Sequence, residues 1–447
     1  MYKLLLIWRY FIKKRVALIA VAGVTLLVMM VIVVLSLMSG LVEDARRRNH
    51  AWSGDLILTR ASLVGFPYYD EFIEQLHKND MVLEATPVIK SFALIDSDSS
   101  GEIYGVRLDE FCRVTNLAEC LSFVFITDPP SFIVPTKYTQ AFKQPPLTPE
   151  QRRRGYIVGI YAEGHPLGRA AGTNFAPLPI TVFALNSKGI LTGSQFGEHQ
   201  SFYFINQFNT GLLDADYALL VDFEELQKLG WMDERENSPA RTSEIRIKLK
   251  EGVDAEQARV QIVNLWRQFI EQKQNPELLA DVTVQPWQLF RRDFIAPMEK
   301  EKDLMVIVFC MIGVVAVFIV FAIFYMIVAE KIKDLGILKS LGGSGWSLAQ
   351  IFLGYGALVG IVGALVGTAL GVTIVTNSNK IEDWLYKHFE FQLWDPQIYA
   401  IEKIPDTVDI SQVLIIVAVA VLASIAGATI PARRAASLSV VDALRVE

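Results

Sequence analysis

Four stretches of the chain contain no Asp, Glu, Lys, Arg or His: Val16–Met38, Leu304–Ala329, Ile351–Thr376 and Val413–Ile430. Nothing else in the sequence constrains the fold as strongly. A bilayer core about 30 Å thick needs about 20 apolar residues in a helix, because lipid offers no partner to an unbonded backbone N–H or C=O. The first three stretches cross such a core comfortably and the fourth just does. The first is too long for the apolar region of a cleaved leader, and "SLMSGLVEDARRR" is a poor small-residue cleavage site, so it reads as a retained membrane helix. The balance of the chain agrees, with 52% hydrophobic residues and only 20% charged ones.

Flanking charge sets the expected orientation. Lys3, Arg9, Lys13, Lys14 and Arg15 occupy the first fifteen residues with no acid, which places an amphipathic segment 1–15 in the cytoplasm. Spans are expected at 16–38, 304–329, 351–376 and 413–430. Between them lie a periplasmic domain at 39–303, a cytoplasmic segment at 330–350 and an acidic periplasmic connector at 377–412, and the tail 431–447 returns to the cytoplasm. Arg46, Arg47 and Arg48 run against this rule, but they precede a large translocated domain, where the rule is weak.

The ends of the 39–303 domain read as α/β. "GDLILTR" is a strand pattern, Tyr69–His77 an amphipathic helix, and "EIRIKLK" alternates at period two as a half-buried strand does. Asp222 and Asp254 are placed to cap helices, the second with Gln257 in a capping box. An α/β core over 50–110 and 217–290 is therefore expected, with a β-rich insertion over 111–216 that contains a proline-punctuated loop. Cys112 and Cys120 lie eight positions apart in that insertion. A disulfide is sterically open to them, although two buried free thiols would look the same in sequence.

Several chemistries are missing. No phosphate-loop pattern occurs: "LGGSGWS" has glycines but lacks the lysine and a preceding soluble strand. The histidines are scattered, no zinc or serine-nucleophile motif is formed, and the spans hold no ionisable group for a proton or sodium relay. The net charge of −6 carries no polybasic tail and argues against nucleic acid. The chain thus reads as non-catalytic, with no cofactor or metal of its own and with energy supplied from elsewhere.

Two features suggest where that energy enters. Gly356, Gly360, Gly363, Gly367 and Gly371 repeat small-xxx-small spacing along the third span, which lets helix backbones approach closely. In "EKIKDLGILKSLGGSG", Ile332, Leu335, Leu338 and Leu341 recur every three residues as a narrow apolar stripe. A short helix of this kind can sit in a groove of a cytoplasmic partner, although a solvated connector would read alike. Beyond the third span, Trp384, Tyr386, Phe389, Phe391 and Trp394 suit an interfacial aromatic belt.

The run "EKIKDLGILKSLGGSGWSLAQIFLGYGALVGIVGALVGTALG" and the ending "IPARRAASLSVVDALRVE" resemble FtsX/MacB-type ABC transporter permeases. "QFNTGLLDADYALLVDFEELQKLG" and "DPQIYAIEKIPDTVDISQVL" are similar to the lipoprotein-releasing LolC/LolE branch of that family. The resemblance implies four transmembrane helices with a large MacB-like extracytoplasmic α/β domain, in a bacterial inner membrane protein. It implies docking of a separate ATPase dimer on Glu330, Lys331, Ile332, Leu335, Gly336, Ile337, Leu338, Lys339, Leu341 and Gly342, with ATP and Mg bound on that ATPase. Only fifteen residues precede the first span, so the ATPase is expected on another chain. A second permease chain, identical or different, is implied as well. The cargo implied is lipoprotein or another lipid-like molecule extracted from the outer leaflet, handed to a periplasmic lipoprotein carrier. By position, the turn between "PITVFAL" and "SFYFINQF", with Gly193, Phe196 and Glu198, is the counterpart of a carrier-binding hairpin. Alternatives are a mechanotransmission scaffold that activates a periplasmic partner, or an efflux permease for a peptide or drug.

Overall fold

The computed structural model describes residues 15–437 apart from 61, 63, 96–98, 123–124, 126, 139–144, 163–176, 187–188, 191–197, 236–237, 331–336, 338, 343 and 392–402. The described residues fall into two compact units. One takes those within Met1–Asp44, Ala296–Asp395 and Lys403–Glu447, and the other those within Ala45–Ile295.

Helix α1 (Arg15–Ser53) comes first. The large domain follows, with α2 (Tyr69–His77), α3 (Leu108–Val114), α4 (Leu117–Cys120), α5 (Leu213–Asp216), α6 (Phe223–Leu229) and α7 (Ala255–Gln272). Its strands are β1 (Leu56–Arg60), β2 (Phe66–Pro67), β3 (Val82–Ile95), β4 (Ser99–Val106), β5 (Gly155–Gly159), β6 (Leu178–Val182), β7 (Glu198–Phe208), β8 (Leu219–Asp222), β9 (Arg241–Thr242), β10 (Glu244–Leu249) and β11 (Val282–Pro286). Long helices α8 (Arg292–Glu330), α9 (Gly345–Thr376) and α11 (Ile410–Ser437) follow, with the shorter α10 (Ser378–Phe389) between the last two.

Nine strands form one sheet in the order β11-β1-β10-β3-β4-β8-β5-β7-β6. The sheet also closes on itself, because β6 pairs back onto the end of β3 through Ala93↔Val182 and Ile95↔Ile180. Strands β3, β4, β8, β5, β7 and β6 thus make a ring, and β11, β1 and β10 extend from it as an open flap. Strand β3 can serve both because it is fourteen residues long: its first half pairs with β10 and its second with β4 and β6. Residues 111–216, read from the sequence as a β-rich insertion, supply β5, β6 and β7, and all three lie in this same sheet. Helices α6 and α7 start where side-chain acceptors stand. Asp222 takes the N–H of Glu225 at 3.2 Å and Asp254 that of Gln257 at 2.9 Å. One core packs Phe66, Phe72, Trp266 and Phe269 against the flap and fills the ring with Tyr156, Phe202 and Phe204. A second core gathers Trp52, Tyr104, Phe111 and Phe208.

In the other unit, α1, α8, α9 and α11 are each long and apolar enough to cross a membrane. Helices α1 and α8 have 39 residues each, which is roughly 58 Å at 1.5 Å per residue, about twice a bilayer core. The limits 39 and 303 expected for the large domain therefore fall inside helices. The cause is that helical hydrogen bonding does not depend on apolar side chains. "EDARRRNHAW" and "MEKEKD" are rich in good helix formers and carry the helix on.

Candidate functional site

Helix α9 is the member of the membrane unit against which the others close, and its glycines explain how. A Cβ added at Gly356 would stand 2.6 Å from Ala428 Cβ, and at Gly360 2.9 Å from Ser424 Cβ, so these two glycines admit α11. At Gly363, Gly367 and Gly371 the neighbours belong to α1: Val24 at 2.8 Å, the Thr25 carbonyl at 2.7 Å and Ile32 at 3.1 Å. One helix therefore presents two glycine faces, successive along its length, to two partners. The Thr25 hydroxyl adds a bond to the Gly363 carbonyl at 3.2 Å. Helix α8 joins through Phe324, edge-on to Tyr355 at 5.2 Å, while Gly427 lets α11 approach the Val317 carbonyl. In lipid such contact is won by dispersion and fit, which is why small residues line it.

The segment between α8 and α9 closes on the end of α11. Lys339 Nζ donates to the Ala436 carbonyl at 3.1 Å. A cation at a helix C-terminus meets unbonded carbonyls and the negative end of the helix dipole. A Cβ added at Gly345 would stand 2.7 Å from that same carbonyl, so the backbones touch there. Arg434 donates to the Tyr325 hydroxyl, and its guanidinium lies 4.8 Å over that ring, tying α11 to α8. Gly342 turns the chain at φ +92, and the Ser344 hydroxyl caps α9 by taking the N–H of Ser347 at 3.2 Å. Ile337 and Leu341 stay 50% and 80% exposed, and Glu330, which ends α8, is exposed too. Lys331, Ile332, Leu335, Gly336 and Leu338 lie outside the described residues. So do Gly193 and Phe196 of the expected carrier-binding turn, whereas Glu198 begins β7 opposite Val182.

The bridge weighed between Cys112 and Cys120 is not formed, since both are free thiols. Cys112 sits in the body of α3 and Cys120 at the end of α4. Both pack against the aromatic cluster around Trp52. Burial pushes both thiols up to about 11, and Cys120 adds to the rise at Cys112.

Sequence reasoning missed the polar ties inside the large domain. Arg291 donates to Asn49 Oδ1 at 2.6 Å and to both oxygens of Asp214 at 2.8 Å, holding the last turns of α1 to α5. In α5, burial pushes the Asp216 carboxyl up to about 6, although Thr210 and Gly211 donate three bonds to it. Strand β10 is covered on both faces, not half-buried. Arg246 and Glu244 pair at 2.8 Å, only 3% and 4% exposed, and the guanidinium also bonds the Trp52 carbonyl at 2.7 Å. The signal available was Trp52 itself, an aromatic placed where the first helix ends.

A long-helix membrane unit built on a glycine-faced third span, with a large domain between spans one and two, defines the class. The chain carries an FtsX-like permease domain: residues 306–440 match the family described as FtsX-like permease C-terminal. The chain is also similar to transmembrane proteins of lipoprotein-releasing systems. The chain is 24% identical over 442 residues to the lipoprotein-releasing system transmembrane protein LolC of Neisseria meningitidis serogroup B, covering 97% of this chain and 94% of that one. It is 27% identical to LolC of Xylella fastidiosa over 54% of each chain, and 26% identical to LolE of Haemophilus influenzae over 31% of this chain and 33% of that one. Among solved structures, the periplasmic region of MacB from Actinobacillus actinomycetemcomitans aligns with 56% of this chain and 97% of its own, at a TM-score of 0.31 and 11% identity.

Proposed function

We propose that this chain is the permease subunit of an ATP-binding cassette complex that releases lipoproteins from the inner membrane. The observation that carries the reading is the similarity to LolC along nearly the whole chain, through the large domain as well as the spans. In this reading a separate ATPase dimer binds ATP and Mg, and it docks on the segment around Ile337 and Leu341, whose apolar side chains are exposed. The large domain lies in the periplasm, a second permease chain completes the membrane part, and a soluble carrier receives the cargo. The chain itself catalyses nothing. Its spans convert the closure of the ATPase into movement of a lipid-anchored substrate.

The test is co-purification of the chain with its ATPase and identification of the lipidated material that accompanies it. Ile337→Asp with Leu341→Asp places two charges in the docking contact. Burying one without a partner costs roughly 2–4 kcal/mol, or about 30- to 1000-fold in affinity. The double variant should lose the ATPase while its large domain keeps its thermal transition. Retention of full ATPase binding and stimulation would reject docking at this segment. A wild-type complex that carries no lipoprotein would reject the cargo.

A further inference from the structure

We infer that α10 is an interfacial lipid-binding helix, lying in the headgroup layer of the bilayer crossed by the spans and holding it through Ile381, Trp384, Leu385 and Phe389. The inference depends only on the spans, not on the ATPase or the cargo. Its first ground is continuity with the membrane-crossing surface. Helix α9 ends at Thr376 and α10 starts at Ser378, so the chain has no length in which to leave the membrane surface before α10 begins.

The second ground is the arrangement of residues on the helix. At 100° per residue, Ile381, Trp384, Leu385 and Phe389 share one face, and Asn379, Asp383 and Lys387 stand opposite. The polar face is occupied. The Asn379 side-chain amide donates to the Ile404 carbonyl at 3.0 Å and accepts the Ile404 N–H at 2.9 Å, a two-bond clip to the strand of chain that leads into α11. The aromatic face is left open by the described residues. No residue of α10 is buried, and on this face Ile381, Trp384 and Phe389 are 38%, 53% and 66% exposed. Trp384 is nevertheless ordered by its own neighbours, edge-on to Phe389 at 5.8 Å and against His388 at 5.0 Å. An indole has an apolar body and one N–H donor, which suits it to the carbonyl and headgroup depth and not to bulk water or to the acyl core.

Charge decides between kinds of lipid contact. Lys380 and Lys387 are balanced on this helix by Glu382 and Asp383. The helix therefore has no excess of cations to select anionic headgroups and holds the interface through its aromatic face. Its direct continuation from a membrane-crossing helix makes lipid the occupant, in preference to a protein groove.

The full chain in nanodiscs of phosphatidylcholine, labelled with a fluorescence quencher either near the glycerol carbonyls or near the bilayer centre, tests this. Comparison with Trp384→Phe, which keeps an aromatic ring and the fold, isolates the emission of Trp384. That component should be quenched more by the shallow label than by the deep one, and should be lost in the variant. Replacing part of the lipid with anionic phosphatidylglycerol should leave the ratio unchanged. Iodide in the water quenching Trp384 with no effect of either lipid label would overturn the inference. Protection from iodide and from both labels would overturn it in favour of a protein partner, and stronger quenching by the deep label would show insertion in place of surface binding.

Discussion

Arg246 joins the end of α1 to the flap of the sheet, and its surroundings determine what its loss would do. The guanidinium lies between Trp52 and Phe111, with its cation 5.3 and 5.2 Å from their ring centres, and it faces Glu244 in a space closed to water. Desolvating both charges takes back most of their attraction, so the pair is a weak source of stability but a costly thing to break on one side. Arg246→Met leaves a buried carboxylate and the Trp52 carbonyl without their donor. Unfolding of the large domain should become easier by about 3–5 kcal/mol. Adding Glu244→Met should recover most of that loss. Denaturant unfolding of the purified chain in detergent measures both, and a double variant no more stable than the single one would show that Glu244 is not the unpaired group. Neither residue could be assigned from the period-two pattern, because alternation tells which side chains share a face but not what covers the polar one.

Elements were legible in proportion to how local their causes are. The apolar spans, the caps at Asp222 and Asp254 and the period of "EIRIKLK" are set by neighbours in sequence, and they could be read there. Closure of the sheet through β3 and β6 could not, because it pairs Ala93 with Val182 across 89 positions on no turn signal. Nor could the partners of the glycines on α9. The spacing said that backbones approach, but only the structure divides them between α1 and α11. That division gives a test with an internal control. At Gly367 an added Cβ would meet the Thr25 backbone carbonyl at 2.7 Å, which no side-chain rotation relieves, whereas at Gly313 on α8 nothing lies within 4 Å. Gly367→Ala should lower membrane-unit stability by about 1–3 kcal/mol, the usual cost of overpacking. Gly313→Ala should be neutral or slightly stabilising, since alanine is the better helix former. Equal thermal stability of the two variants in detergent would mean that α1 does not pack on α9 as described.

For the whole molecule, the question is how a push at the segment between α8 and α9 reaches the remaining spans. Under the proposed function the ATPase touches only that segment, yet release of cargo requires the spans to move together. Three contacts at the end of α11 supply the link: Lys339 to the Ala436 carbonyl, Gly345 against the same carbonyl, and Arg434 to Tyr325. Packed backbones are stiff, so a displacement of the docking segment that carries Gly345 must carry α11 with it or break this contact. Gly345→Val puts a branched side chain where 2.7 Å separates Cβ from a main-chain oxygen, and it must part the two. Lys339→Met removes the donor but keeps the apolar stem, while Lys339→Arg keeps a cation that can still reach a helix end. The exposed Ile337 and Leu341 are untouched in all three variants, so ATPase binding should persist. ATP hydrolysis by the complex should continue in Gly345→Val and Lys339→Met, with fewer lipoproteins released per ATP, and Lys339→Arg should stay close to the parent. The ratio of release to hydrolysis in reconstituted vesicles is the measurement, because a merely structural defect would lower both together. If Gly345→Val and Lys339→Met release as much cargo per ATP as the parent, the end of α11 is a passive neighbour and the motion travels through α8 and α9 alone.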